Sequence, residues 1–254
     1  MQKKRILVTN DDGIHAEGLR ALEEAMLPLG EVTVVAPERE MSATRQSISL
    51  HSPLRVSALD ERHFAVAGTP ADAVILAIHH LLGERPDLVV SGINPGGNLG
   101  ENVVYSGTVA AAMEATLHGV PGIAVSLATR KQLDYAYAAA FAAQLAARIL
   151  EEGLPPGVML NVNVPRGEVR GVRITRQSQK ISQNVLHEQK DPRGRSYFWH
   201  DETIDLGQVE PDSDYAAILA REISITPLQV DRTDYASRNH LSGWLSALPL
   251  NARK

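Results

Sequence analysis

The stretch Ile6-Leu7-Val8-Thr9-Asn10-Asp11-Asp12-Gly13 decides the fold. Ile6 to Thr9 have strand character and run into a polar knot with two adjacent carboxylates. Beyond it, Glu17 to Leu27 reads as a helix with Leu19, Leu22 and Met26 on one apolar stripe, and Gly30 ends it. Val32 to Ala36 is a short continuous apolar run, the pattern of a buried parallel strand. Strand, helix and strand within about thirty residues make a βαβ unit. In open α/β sheets ligands gather outside the carboxyl ends of strands, which is where Asp11 and Asp12 fall. Adjacent side chains in a regular strand point to opposite faces. A pair that has left the strand, with Gly13 free to take a positive φ, can converge on one point. Two convergent carboxylates repel unless a cation lies between them, and a hard divalent ion meets that need.

The same grammar continues along the chain. The second strand ends at Pro37-Glu38-Arg39-Glu40-Met41-Ser42-Ala43, which brings Ser42 to the same crevice. Ser47 to Leu50 and Leu54 to Ser57 read as a short extended pair around His51-Ser52-Pro53, and Phe64 to Ala67 as a strand. Thr69 and Pro70 suit the N-cap and first position of a helix running to about Leu82. Asp87 to Ser91 is the next strand and opens a second polar knot, Ser91-Gly92-Ile93-Asn94-Pro95-Gly96-Gly97-Asn98-Leu99-Gly100. A helix follows from Val109 to His118, whose first-turn amides join the Ser106 and Thr108 hydroxyls in a ready anion site. Gly122 to Ser126 is a strand and Leu133 to Leu150 an alanine-rich helix. This repeated βα order predicts an α/β fold with a doubly wound, mostly parallel sheet.

From about Val158 the pattern changes. Met159 to Val164 and Gly171 to Thr175 are strands with no helix between them. Residues 180 to 205 are polar, with Asp191-Pro192-Arg193-Gly194 as a turn between hairpin arms and Tyr197-Phe198-Trp199 as an aromatic cluster. Asp214 to Leu219 and Ser242 to Leu248 read as short helices, with Ile223 to Thr226 as a strand. The expected organisation is one unit with a core over 1–175, a protruding β-hairpin over 176–210 and a C-terminal segment over 211–254.

Composition narrows the function. The chain has 254 residues, 44% of them hydrophobic, and no apolar run of membrane-spanning length. Met1-Gln2-Lys3-Lys4-Arg5 leads straight into a strand without the apolar segment of a signal peptide, so a cytoplasmic location is expected. The absence of cysteine removes disulfides, thiolate metal sites and a cysteine nucleophile. A net charge of −5, no basic stripe and 4% aromatic residues argue against a nucleic-acid polymer as partner. A small anion is compatible, because a bound cation supplies local positive charge.

Three strand ends therefore carry polar loops, and Asp11, Asp12, Ser42 and Asn94 form an oxygen-rich set suited to Mg²⁺ or Mn²⁺ rather than Zn²⁺. No Walker lysine follows the glycines at 96, 97 and 100, and acid stands where a dinucleotide fingerprint would have glycine. The histidines show no metal spacing: His79 and His80 read as helix-surface or packing residues, and His118 sits in a last helical turn.

Ile-Leu-Val-Thr-Asn-Asp-Asp-Gly at 6–13, Ala-Pro-Glu-Arg-Glu-Met-Ser-Ala at 36–43, Gly-Thr-Pro-Ala-Asp at 68–72, the asparagine and glycine run at 91–100, Tyr-Ser-Gly-Thr-Val at 105–109 and Leu-Asn-Val-Asn-Val-Pro at 160–165 together resemble the SurE family of survival-protein acid phosphatases. The resemblance covers about residues 5 to 165. It implies a Rossmann-like core, a protruding hairpin and an exchanged C-terminal tail in a homodimer or homotetramer. It implies one divalent metal ion per subunit, Mg²⁺, Mn²⁺ or Co²⁺, held by Asp11, Asp12, Ser42 and Asn94. A phosphate pocket at Asn98, Ser106, Gly107 and Thr108 is also implied. The activity so implied is hydrolysis of nucleoside 5′- and 3′-monophosphates, with short polyphosphate as a further substrate and Asp11 and Asp12 catalytic. The rival reading is a non-catalytic module that senses nucleotide or phosphate through a structural metal. An aspartyl-phosphate phosphatase is a weaker rival, because such enzymes space their two aspartates by one residue.

Overall fold

The computed structural model describes residues 3–42, 45–179 and 182–245, apart from the Leu206 side chain. Nine strands form one sheet: β1 (Arg5–Thr9), β2 (Glu31–Pro37), β3 (Val56–Ala58), β4 (His63–Val66), β5 (Leu88–Pro95), β6 (Gly122–Leu127), β7 (Val158–Val164), β8 (Gly171–Ile174) and β11 (Glu222–Gln229). Their order is β3-β4-β2-β1-β5-β6-β7-β11-β8. The run from β4 to β7 is parallel throughout, β3 and β11 join it antiparallel, and β11 pairs parallel with β8. The chain first moves outward from β1 to β2 and β4, then returns to place β5 on the other side of β1. The gap between β1 and β5 is thus a topological switch point, where the C-terminal crevice opens.

Both faces of the sheet are covered, so its central strands are apolar on both sides. Ile6 and Val8 pack with Leu19, Leu22 and Met26 of α1 (Glu17–Met26) and with Ala138, Ala142 and Ala146 of α4 (Ala136–Glu152). Leu7, between them in sequence, packs on the other face with Val74 of α2 (Pro70–Leu76) and Ala111 and Ala115 of α3 (Gly107–Leu117). This is the strand alternation of period two, with a core on each side.

Local chemistry fixes the helix starts. Thr69 accepts from the Asp72 amide while Asp72 accepts from the Thr69 amide, a reciprocal capping box with Pro70 at the first position. Ser106 caps α3 through the Val109 amide. The α2 helix ends in a π-turn, Ala77–Leu81.

The hairpin arms are β9 (Ser182–Lys190) and β10 (Ser196–Ile204), a separate two-stranded sheet. Its turn is held by Asp191 Oδ1, which accepts from the Arg193 and Arg195 amides at 2.8 and 2.9 Å. A short helix, α5 (Asp214–Leu219), precedes β11.

Three expectations are corrected. Ser47–Leu50 and Leu54–Ser57 do not pair with each other. Residues 47–50 are irregular, and β3 pairs instead with β4. The reason lies in α2: Ser49 donates through its amide and its hydroxyl to the Asp72 carboxylate, and Ser47 O accepts from Thr69 Oγ1. Polar groups that would seek a ladder partner are satisfied by the helix start. Second, β5 runs on to Pro95, so Ser91 to Pro95 belong to a strand whose register with β6 shifts between Ser91 and Asn94. Third, the last described helix is α6 (Tyr235–Ser242), capped by Asp234 accepting from the Ala236 and Ser237 amides. Of the expected helix at 242–248, residues 246–248 lie outside the described residues.

Candidate active site

The Asp11–Asp12 loop is built by its neighbours. Asn10 Nδ2 donates to Gly13 O at 3.0 Å, and the Gly13 amide donates to Asn10 Oδ1 at 3.2 Å. Gly13 has φ 103, and a Cβ there would lie 3.1 Å from the Arg39 carbonyl carbon. The loop after β2 therefore lies directly on the loop after β1. Two backbone bonds fasten them, Ile14 N–H to Pro37 O at 2.8 Å and Met41 N–H to Asp11 O at 2.7 Å. That fastening brings Ser42 to the crevice.

The end of β5 is shaped by Gly92, which has φ 140 and whose added Cβ would meet Val125 O at 2.3 Å. Beyond this bulge Asn94 Nδ2 donates to Gly96 O at 2.6 Å. Its amide nitrogen is spent within the loop, so its Oδ1 is the atom suited to a cation.

The third side is the start of α3. Gly107 approaches Asp11 so closely that a Cβ there would lie 2.7 Å from Asp11 Cβ and 2.9 Å from its Oδ2. Thr108 Oγ1 donates to Asp11 Oδ1 at 2.5 Å, and the Thr108 backbone also bonds the carboxylate. The positive end of the helix thus faces a carboxylate of the protein itself.

These elements surround a cavity of about 740 Å³. Asp11, Ser42, Asn94, Asn98 and Ser106 line it. Asp12, Gly107 and Thr108 are not on its wall. Ser42 donates to Glu40 Oε1 at 2.6 Å, and Ser106 Oγ accepts the Val109 amide at 3.1 Å. Asn98 is held on several sides. Its amide donates to Asn163 Oδ1 at 2.8 Å, its carbonyl accepts from Asn161 Nδ2 at 2.8 Å, and its Nδ2 donates to Ser126 Oγ at 2.7 Å.

The electrostatics match a cation site. Burial raises the Asp11 carboxyl above the usual carboxylate range, against the opposing bonds from Thr108. Burial first, then the charges of Asp11 and Glu40, push Asp12 up to about 7, with Arg130 pulling the other way. Asp12 is only half-buried as a residue, yet its Oδ2 is out of contact with solvent and has no hydrogen-bond partner among the described residues. A buried carboxylate oxygen without a donor is costly unless a cation meets it. Two carboxylates, an amide oxygen and a hydroxyl are a hard donor set, so these residues fit a divalent ion of the Mg²⁺ or Mn²⁺ kind.

Several residues of the cavity are not evident from the sequence. Arg45 stands over the Tyr105 ring, 4.4 Å from its centroid, and both line the wall. Arg130 also lines it, and Gly96, with φ 139, leaves room for its guanidinium, whose Nε lies 3.2 Å from where a Cβ would be. Arg130 falls in the loop after β6, so the strand-end rule that singles out Asp11 applies to it as well. Asn184 and His200 reach the cavity from the hairpin, bonded to each other at 3.1 Å, and carry no comparable sequence signal.

Comparisons with known proteins identify the family. The family profile described as "Survival protein SurE" matches residues 6–184. A protein of Geotalea daltonii named "5'-nucleotidase SurE" is 51% identical over 245 residues, covering 94% of this chain and 98% of the relative. One of the same name from Myxococcus xanthus is 52% identical over 244 residues, covering 95% and 93%. The crystal structure of the SurE protein from Aquifex aeolicus superimposes with a TM-score of 0.86 at 37% identity, covering 94% of this chain and 98% of that one. With its motifs, its fold and nearly its whole length matched, the chain belongs to the SurE family.

Proposed function

We propose that this chain is a metal-dependent phosphatase that hydrolyses nucleoside 5′-monophosphates to nucleoside and phosphate. The observation that carries the reading is the buried, unpartnered Oδ2 of Asp12, in the loop after β1 and beside Asp11, which lines the cavity. A module that only bound phosphate would gain nothing from two carboxylates against its ligand. The relatives named 5'-nucleotidase support the substrate class.

Asp11, Asp12, Ser42 and Asn94 would hold one divalent ion per subunit, Mg²⁺, Mn²⁺ or Co²⁺. Bound there, the ion would neutralise charge on the phosphoryl oxygens and lower the pKa of a water. The chain's own residues do the rest. Thr108 and the α3 start hold Asp11 in one rotamer, so it serves as a fixed ligand. Asp12, raised by its surroundings toward neutrality, is the group suited to orient or deprotonate the attacking water. Arg130 and Arg45 on the wall offer positive charge to the phosphate dianion, and Asn98 and Ser106 form the adjacent surface. The Thr108 hydroxyl and backbone are committed to Asp11, whereas Ser106 Oγ accepts the Val109 amide and keeps its own O–H to donate, so in the phosphate pocket at Asn98, Ser106, Gly107 and Thr108 the Ser106 hydroxyl would be the side-chain donor.

The wider reading includes 3′-monophosphates and short polyphosphate as substrates. It also includes a homodimer or homotetramer joined through the 211–254 segment, with the 176–210 hairpin projecting from the 1–175 core, and a cytoplasmic location. No described helix is long and apolar enough to cross a membrane. The test is phosphate release from a panel of nucleoside monophosphates and p-nitrophenyl phosphate with Mn²⁺ or Mg²⁺, and with EDTA. EDTA-abolished turnover that prefers nucleotides is expected. Tight nucleotide binding with no turnover under either metal would replace this reading with the sensor.

A further inference from the structure

Folding brings two histidines together far from the carboxylates. His118 follows the last turn of α3, and α3 begins at Gly107 against Asp11. Eleven residues of helix place His118 roughly 17 Å from that end. His79 lies on the π-turn Ala77–Leu81 at the end of α2, which packs beside α3. Single π-turns within helices recur at functional sites. His79 Nε2 and His118 Nδ1 are 3.3 Å apart, with the rings edge-on at 74°.

That separation has a chemical meaning. Two imidazole nitrogens each bound at about 2.0–2.1 Å to one tetrahedral ion must stand about 3.3–3.4 Å apart. The other nitrogen of His118, Nε2, lies 3.2 Å from Glu114 Oε1. Glu114 is buried, and its second oxygen accepts from Gln46 Nε2 at 3.5 Å. A ligating histidine characteristically donates its remaining N–H to a carboxylate, which fixes the ring and leaves the opposite lone pair free for the metal. With Nε2–H committed to Glu114, His118 Nδ1 is the lone-pair atom, and it faces His79. Both histidines also sit at helix C-terminal ends, where the backbone dipole favours positive charge.

We infer that His79 Nε2 and His118 Nδ1 chelate an imidazole-seeking divalent ion, of which Zn²⁺ is the type, with Glu114 as the positioning carboxylate and water in the remaining coordination positions. Without the ion, His79 Nε2–H donates to His118 Nδ1. Chelation moves that proton to His79 Nδ1 through solvent, which is open to this exposed residue. The ion would tie the end of α2 to the end of α3. Its nitrogen donors suit Zn²⁺, Ni²⁺ and Cu²⁺, whereas the carboxylate centre has hard oxygen donors, so the two sites differ in kind. The inference does not rest on the phosphatase reading, because its readout is binding.

The test is calorimetric titration of the full chain with Zn²⁺, in the wild-type background and in Asp12→Asn, which weakens the oxygen site. Two classes of Zn²⁺ site are expected in wild type. In both backgrounds one class should be lost on His79→Ala and on His118→Ala. Glu114→Gln should weaken that class by about 10–100-fold. Cu²⁺ electron paramagnetic resonance adds a direct readout: coupling to two imidazole nitrogens in wild type, and to fewer in His79→Ala. His79 is exposed, so its variant should keep the wild-type circular dichroism and melting temperature. Zn²⁺ affinities and stoichiometry unchanged by His79→Ala and His118→Ala would overturn the assignment, as would a copper spectrum unchanged by His79→Ala.

Discussion

Gly107→Ala tests whether α3 is positioned by its contact with Asp11. The added methyl would lie 2.7 Å from Asp11 Cβ, 2.9 Å from Oδ2 and 3.1 Å from Cγ. Ordinary carbon contacts are about 3.5–4.0 Å. Either the helix start or Asp11 must therefore retreat by about 1 Å. Two effects on stability oppose each other. Alanine is a better helix former than glycine by up to about 1 kcal/mol, and less at a first helical position. Overpacking a buried contact costs about 1–3 kcal/mol. The net expectation is a loss of about 1 kcal/mol, a fall in melting temperature of about 2–4 °C. The functional loss should be much larger. Thr108 Oγ1 reaches Asp11 at 2.5 Å, and a 1 Å retreat stretches that bond to about 3.5 Å, well past the usual O–H···O distance. Misplacing a catalytic group by 1 Å costs about 100-fold in rate. Turnover of a nucleoside monophosphate under saturating Mn²⁺, measured beside thermal melting, separates the two effects. A variant that melts within a degree of wild type and keeps more than a third of its kcat would refute the idea that this contact aims Asp11.

Other perturbations follow from the same geometry. Asp12 is held near 7 when folded without a cation against 3.8 ordinarily, so its ionisation opposes folding. The folded form binds the extra proton between these values, and stability therefore falls as pH rises through the window from about 4 to 7. Asp12→Asn should reduce that slope, leaving the part due to Asp11, and raise the melting temperature of EDTA-treated protein at pH 7.5, while abolishing stabilisation by Mn²⁺. A lower melting temperature in the EDTA-treated variant would show that Asp12 is stabilised by something other than a cation. Asp72→Ala breaks the α2 capping box and both bonds to Ser49, so it should cost about 1–2 kcal/mol in chemical denaturation and leave KM unchanged. An unaltered denaturation midpoint would mean that solvent replaces those bonds at no cost. Asn163→Leu leaves the Asn98 amide without its acceptor inside the sheet end; it should loosen the 96–100 loop and raise KM several-fold with a smaller change in kcat. Equal effects on both constants in steady-state assays would contradict a role confined to shaping the pocket.

The sheet was legible because its strands obey simple rules. Ile6 to Val8 and Leu88 to Val90 are uniformly apolar because both faces are covered, and each run gives way to polar residues toward the carboxyl end of its strand. Thr69 and Pro70 announce α2 by capping chemistry alone. The 47–57 segment was misread because its hydrogen-bond partners, Asp72 and Thr69, come later in the chain and on another element. Propensity cannot register a partner of that kind. The carboxylates were legible for the same reason as the strands, since a strand end is a place as well as a pattern. Arg45 and His200 were not, because their approach to the cavity depends on how a loop and a hairpin fold back over it. The His79–His118 pair is the extreme case: 39 residues separate the two, and only the packing of α2 on α3 makes them neighbours.

The direction of α3 carries a consequence for the chemistry. A helix N-terminus beside an anion-binding crevice ordinarily presents its amides to the ligand. Here Ser106 takes the Val109 amide, and Thr108 gives its hydroxyl and backbone bonding to Asp11. The positive end of the helix is thus largely spent on keeping one carboxylate in place. Even so, burial leaves Asp11 raised, and burial together with the neighbouring Asp11 and Glu40 charges raises Asp12 as well. The helix fixes the geometry of the pair without neutralising its charge. A dianionic substrate entering this crevice would meet Asp11, Glu101, Asp201 and Glu202 on the wall and the Asp12 and Glu40 charges behind it, with Arg130 and Arg45 as the wall's cations. In the proposed function, a divalent ion held by the carboxylates would offset this negative field where phosphate would bind. The same ion that would meet the buried Asp12 oxygen would then admit the phosphate. Substrate affinity and metal stabilisation should rise and fall together across variants of Asp11 and Asp12.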